Sequence, residues 1–323
     1  MMHVHRTLLR CAILVAMAAA LTAPSCESPD PILGALDYLE ANQVTEVTFL
    51  ESPSGGLMLD VAGNWPQAVY VDFLPHWRYR EVNPFMAAFI HHSLTLVREE
   101  NLDALALPPE AAEKAREMRK RAVAYMRTFE SPPGEPDAGA FGFWPFHPDP
   151  DRESTPFQRF ALAVFGGPRL YGPRSPVNIS MYPPEMGIPS DADDTANIYV
   201  AVLEDEVYDL GPGSDVAFEV FFADWRDLGQ SVRRIDPPWL PRKSGAFLTW
   251  LNYADLPGHA IYNDIDAVVN ANVLHALGRY GRLDTPGVSD AVDLLNYIVE
   301  NGLHRTHFAE AADYYPDSLL PHT

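Results

Sequence analysis

Apolar residues recur three and four positions apart over most of this chain, the spacing that lines one face of an α-helix. Ile32, Leu36 and Leu39 follow Asp30-Pro31, a capping residue and then a proline where the first helical turn needs no N–H, so a helix starts there. Residues 85–97 predict a second helix, and residues 109–128 a third with Ala111, Ala115, Met118, Ala122 and Met126 along one side. The same spacing predicts helices over 156–165, 194–205, 214–227, 243–253, 267–279 and 288–301. Extended character is confined to short stretches at 44–50 and 68–73, too little for a central sheet. Prolines cluster between these segments, at Pro132-Pro133-Gly134-Glu135-Pro136, at Pro145, Pro148 and Pro150, and at Pro183-Pro184 and Pro237-Pro238, where they mark long loops. The pattern predicts an all-α chain of paired helices joined by elaborate connections.

Two stretches resemble one another. Asp191-Ala192-Asp193-Asp194-Thr195-Ala196-Asn197 lies without a gap over Asp264-Ile265-Asp266-Ala267-Val268-Val269-Asn270, and further on Val200 falls on Val273. Asp191 then matches Asp264, Asp193 matches Asp266 and Asn197 matches Asn270, at an offset of 73 residues. Each copy predicts a helix start bearing carboxylates, with an amide one turn further on the same face. An offset of that size accommodates helical hairpins with generous loops, as expected if helix pairs recur around a ring.

The polar residues of these copies are the candidates for chemistry. Asp191, Asp193 and Asp194 crowd three carboxyls into four positions, which opposes their simultaneous ionisation and leaves a neutral acid near neutral pH if the site is dry. The same residues equally suit a helix cap, since they satisfy orphan N–H groups at the positive end of the helix dipole. In the second copy Asp264, Asp266, Asn270 and Asn272 interrupt an apolar helix. Asp266 and Asn270 share one face while Asn272 lies on another. A buried Asn270 serves as a clamp to a neighbouring loop, as a ligand-binding amide, or as an oxygen ligand to a hard cation. Aromatic residues crowd the loops ahead of both copies, among them Phe143 and Trp144 in the first and Trp250, Tyr253 and Tyr262 in the second. They either line an apolar cavity, where ring faces stabilise a developing cation, or fill the core. The pairs His91-His92 and His304/His307 lack a zinc-site spacing, no phosphate loop occurs, and no Gly-x-Ser-x-Gly elbow selects a nucleophile. No metal and no cofactor is assigned.

Composition narrows the classes. The 323 residues are 47% hydrophobic, enough for a sizeable core, and carry a formal charge of -21 that repels phosphate backbones, so no nucleic-acid partner is expected. The only cysteines are Cys11 and Cys26, which leaves the body without disulfides or thiolate ligands. Arg6 and Arg10 precede an apolar run from Cys11 to Ala23 and then Pro24-Ser25-Cys26, the order of an export signal. Residues 1–26 are therefore expected to direct the chain out of the cytoplasm, and residues 27–323 to form the helical domain. Cys26 resembles a bacterial lipoprotein processing site, which implies a periplasmic or membrane-tethered protein anchored through that residue.

Asp191-Ala192-Asp193-Asp194-Thr195-Ala196 resembles the signature of the class II terpene cyclases, the group that includes the squalene and hopene cyclases. The resemblance implies an α/α toroid, here a single barrel of paired helices, complete or incomplete. It also implies that Asp193 is the acid that protonates an isoprenoid alkene or epoxide, with Asp191 and Asp194 tuning it and aromatic walls guiding the carbocation. The expected ligand is then a hydrophobic small molecule; protein partners are not assigned. Two other functions fit an exported helical protein: a non-catalytic binding protein whose polar repeats fix loops, and a carbohydrate-active enzyme in which paired Asp groups act as acid and base.

Overall fold

The computed structural model describes residues 31–46, 48–51, 57–60, 62–65, 67–70, 78–81, 83–131, 138–143, 190–203, 219–231, 233, 236–251 and 263–312. The expected export segment, the helix expected at 156–165, and Trp144, Tyr253 and Tyr262 lie outside the described residues. The chain is helical in the main, and it divides into two compact units: residues 1–127 with 201–208, and residues 128–200 with 209–323.

In the first unit the helices are α1 (Pro31–Asn42), α2 (Phe85–Leu94), a short α3 (Leu102–Leu105) and α4 (Pro109–Met126). Two antiparallel hairpins stand between α1 and α2. The strands β1 (Thr48–Glu51) and β2 (Leu57–Asp60) pair with Thr48 opposite Asp60, and β3 (Gln67–Tyr70) and β4 (Arg78–Glu81) pair with Gln67 opposite Glu81. Of the short extended stretches that the sequence suggests, β1 and β3 take in residues 48–50 and 68–70, while 44–46 are irregular, and the hairpins remain separate two-stranded ribbons. Helix α4 is the centre of the unit. Its side formed by Ala111, Ala115, Met118, Ala122 and Met126 is buried as the spacing predicts, and α1, α2 and α3 pack against it. Gln43, at the end of α1, ties the helices together: its Nε2 donates to Gly63 O at 3.1 Å and Met118 O at 2.9 Å, while its Oε1 accepts from Arg121 Nε at 2.7 Å.

The second unit contains most of α5 (Ala192–Leu203), α6 (Glu219–Asp224), α7 (Ala267–Arg279), α8 (Val288–Glu300) and the single turns α9 (Leu303–Thr306) and α10 (Phe308–Ala311). The helix expected over 214–227 is described only as α6. The helix expected over 243–253 is a correction: residues 243–251 are irregular and partly extended, Phe247 bridging Arg226 and Trp250 bridging Asp191. Ala246, Phe247, Leu248 and Leu251 are apolar because this segment is buried, which mimics a helical face. Among the described residues no helix is long and apolar enough to cross a membrane.

A single backbone device recurs three times between a first and a second helix. Gly63, Gly139 and Gly245 each have positive φ, at 96°, 89° and 76°. Each donates its N–H to the carbonyl of a residue shortly after the preceding helix: Gly63 to Val44 at 2.7 Å, Gly139 to Ser131 at 3.1 Å and Gly245 to Asp227 at 2.9 Å. That same residue returns its own N–H to the residue after the glycine: Val44 to Asn64 O at 2.8 Å, Ser131 to Ala140 O at 2.8 Å and Asp227 to Ala246 O at 2.8 Å. A buried aromatic residue comes next in all three turns, as Trp65, Phe141 and Phe247. Before the second helix stands a side chain that accepts from its first turn: Asn83 from Phe85 N ahead of α2, Asp191 from Asp194 N in α5, and Asp266 from Val268 N and Val269 N in α7. The chain therefore repeats the unit helix, glycine turn, aromatic, cap, helix. A Cβ on Gly63 would stand 2.0 Å from Arg121 O of α4, and one on Gly245 would stand 2.4 Å from the Asp290 carboxyl of α8, so these two turns are seated against α4 and α8.

Candidate functional site

The caps correct the register of the internal similarity. Asp191 and Asp266 both occupy the position before a helix, so the equivalence is Asp191 with Asp266, Ala192 with Ala267, Thr195 with Asn270, Ala196 with Ala271 and Asn197 with Asn272. Thr195 and Asn270 then perform the same task. Thr195 Oγ1 accepts from Phe141 N at 3.0 Å and donates to Phe141 O at 3.2 Å; Asn270 Oδ1 accepts from Phe247 N at 3.0 Å and its Nδ2 donates to Phe247 O at 3.0 Å. Each clamps the aromatic residue of its own glycine turn. Asn270 is therefore a loop clamp, one of the roles its sequence allows. Val268 and Val269 stand where the first copy has Asp193 and Asp194, so the carboxylate cluster belongs to one copy alone.

That cluster sits where three chain segments meet. Ser190 and Asp191, just ahead of α5, are bridged to two neighbours. On one side Asp191 N donates to Phe141 O at 3.1 Å, and Gly142 bridges Ser190. On the other, Ala192 N donates to Thr249 O at 2.8 Å and Leu251 N to Ser190 O at 2.8 Å, with Trp250 bridging Asp191. Phe143 and Trp250, both half-buried, thus follow or belong to the strands that flank the acid. Trp250 is fixed by Asn263, whose Oδ1 accepts from Trp250 N and whose Nδ2 donates to Trp250 O, each at 2.9 Å. Asp264, also buried, contributes through its backbone, its carbonyl accepting from Thr249 N at 3.2 Å and Thr249 Oγ1 at 2.9 Å.

All three carboxyls are buried, and they are bonded differently. Asp191 Oδ1 accepts from Asp194 N at 2.6 Å as the cap of α5. Its Oδ2 is buried with no hydrogen-bond donor. Burial pushes Asp191 up to about 7; the charge of Asp193 adds to the rise, while hydrogen bonds from Asp194 and Asp193 oppose it. Asp191 accordingly keeps a proton into the neutral range. Asp193, the least buried of the three at 8%, is held otherwise: its Oδ1 accepts from Asn197 Nδ2 at 3.2 Å and from Asn272 Nδ2 at 2.6 Å.

Asn272 reaches Asp193 because α7 runs beside α5 in the same direction. A second contact along the two helices, from Tyr280 Oη to the carbonyls of Tyr199 and Val200 at 3.3 Å each, keeps nearly the same residue offset. Of the expected site residues, Asp191, Asp193, Asp194, Asn197 and Asn272 come together, with Phe143 and Trp250 on flanking segments. Asp264, Asp266 and Asn270 hold the framework next to them. Thr195 and Asn263 are framework residues that sequence reasoning passes over; the signal for them is the repeated Gly-Ala-Phe of 139–141 and 245–247, followed in each case by Trp three residues on. Among the described residues no group of three or more His, Cys, Asp or Glu side chains is placed to hold a metal ion. Neither protein families, nor curated proteins, nor solved structures yield a match to the chain.

Proposed function

We propose that this protein is an enzyme whose chemistry begins with proton donation from the Asp191, Asp193 and Asp194 cluster to an isoprenoid alkene or epoxide, followed by ring closure, on a scaffold of helix pairs arranged as an α/α toroid. The observation that carries the reading is the buried cluster itself, in which burial pushes Asp191 up to about 7 next to the two further buried carboxyls of Asp193 and Asp194. The recurrence of the glycine turn and the parallel course of α5 and α7 favour the toroid, in which successive second helices form an inner wall. Asp193, the least buried member, delivers the proton after taking it from its neighbour Asp191: the Asp191 O–H bond breaks as Asp193 gains the proton, the Asp193 O–H bond then breaks as the substrate π pair or epoxide oxygen takes it, and a carbocation forms for the next double bond to attack. The two amides on Asp193 Oδ1 stabilise the carboxylate left behind. Rings on the segments bearing Phe143 and Trp250 shelter the cation.

The test is incubation with a panel of linear isoprenoids and their terminal epoxides, with cyclised product measured for the parent protein and for Asp193→Asn. The parent forms product, and the variant, which retains size and hydrogen bonding, loses at least about 100-fold of it while its thermal unfolding is little changed. Equal product from the folded variant would remove the role of Asp193. Absence of product from both would favour a second reading, a non-catalytic exported binding protein, which draws support from Asp266, Asn270, Thr195 and Asn263 all being engaged with backbone groups of their own framework.

A further inference from the structure

We infer that Asn272 is a positioning residue, which with Asn197 forms a two-amide cradle on one oxygen of Asp193 and thereby sets the strength of that acid. The inference rests on the reading of Asp193 as the proton donor and assigns to Asn272 a task different from substrate contact. Asn197 and Asn272 are equivalent residues of successive helix pairs, yet they converge on a single atom: Asn197 Nδ2 at 3.2 Å and Asn272 Nδ2 at 2.6 Å from Asp193 Oδ1. Asn197 does so within its own helix, four residues on. In α7 the residue four before Asn272 is Val268, which offers no acceptor in its side chain, so the amide turns to the neighbouring helix instead. The substitution of Asp by Val in one copy thus frees its amide to serve the carboxylate of the other.

Two N–H donors on one oxygen favour the ionised form of Asp193, because each bond strengthens as charge develops on the acceptor. The groups that bear on this carboxyl are identifiable. Asp191 and Asp194 flank it in sequence, and Asp191 interacts with its charge. The segments 140–143 and 249–251 bring no charged side chain. On α7 the titratable groups that follow Asn272 at helical spacing are His275 and Arg279.

The deciding experiment is an NMR titration of the full chain isotope-labelled at the aspartate carboxyl carbons, with the Asp193 signal identified by its loss in Asp193→Asn. Asn272→Leu keeps the volume and removes the donor; the Asp193 midpoint is expected to move up by about one pH unit, and further in the double variant with Asn197→Leu. Asn272→Ser gives the same direction with less change in packing if the leucine variant does not fold. An unmoved Asp193 midpoint in a folded variant, with only its melting temperature lowered, would overturn the inference and leave Asn272 a packing residue. The titration needs no turnover. A shifted midpoint without cyclised product from the parent would uphold the cradle and reject only the isoprenoid reading.

Discussion

Two buried aspartates of this chain are driven in opposite directions, and the difference lies in their donors. Asp227 loses solvation as Asp191 does, which by itself would raise its pKa, but Ser244 N at 2.7 Å, Ser244 Oγ at 2.9 Å, the Arg233 guanidinium at 2.5 Å and Ser231 Oγ at 2.9 Å all donate to its carboxyl and hold it below the ordinary value. Asp191 has one backbone donor on Oδ1 and a second carboxyl on the other side, so burial prevails. The consequences for stability have opposite signs. Asp227 stabilises the fold above its unfolded pKa and loses that contribution as pH falls through its folded one. Asp191 contributes fully below its unfolded value of 3.8 and loses the contribution as pH rises to about 7. Asp191→Asn removes the group whose buried ionisation costs stability as pH rises. Measured by thermal or urea unfolding, the variant should therefore gain on the parent by roughly 2–3 kcal/mol between pH 5 and pH 7. Parallel pH profiles for the two proteins would show that Asp191 titrates like an ordinary carboxyl. The crowding of these acids is legible in the sequence, since three carboxyls in four positions oppose joint ionisation. Which of them keeps the proton is not, because that depends on donors brought by Asn197, Asn272 and the backbone of Asp194.

At the level of elements, the helices with a marked apolar side, α4 and α7, were legible to within a residue or two at their ends, because spacing and caps agree. Residues 243–251 were misread since burial from several sides produces apolar spacing without a helix. The register of the internal similarity was misread by two positions for a different reason. Matching Asp and Asn by identity favours the 73-residue offset, whereas the cap and the clamp determine the true one, pairing Thr195 with Asn270, two residues unlike in name that bind a backbone in the same way. The glycine turn shows in the sequence only as the repeated Gly-Ala-Phe of 139–141 and 245–247, because its partners are separated by loops of unequal length. It is testable by substitution. Gly63→Ala and Gly245→Ala combine positive φ with contacts at 2.0 Å and 2.4 Å, and each should lower unfolding free energy by more than about 2 kcal/mol. Gly281→Ala, at φ 68° with nothing within 4 Å, should lower it by about 1 kcal/mol, the conformational part alone. Equal losses at all three positions, read from denaturant unfolding, would mean that the turns are not seated against α4 and α8 as described.

For the whole molecule, the excess of acidic residues and the repeating helix pairs bear on the same site. A net charge of -21 places every carboxyl in a field that disfavours ionisation, a small effect at the surface where salt screens it and a larger one for a group removed from water. The repeat supplies the removal. Glycine turns and their clamps bring the segments 140–143 and 249–251 to either side of Ser190 and Asp191, so that an acidic helix start which would be a solvated cap in isolation becomes an interior acid. The central claim is that this interior acid holds a proton at neutral pH. Infrared difference spectroscopy of the full chain measures it directly, because a protonated carboxyl absorbs apart from a carboxylate. The account predicts a carboxylic acid band that falls to half its amplitude at about pH 7 and is absent in Asp191→Asn. A band already lost near the ordinary carboxylate pKa of about 4, or one that survives unchanged in Asp191→Asn, would contradict it.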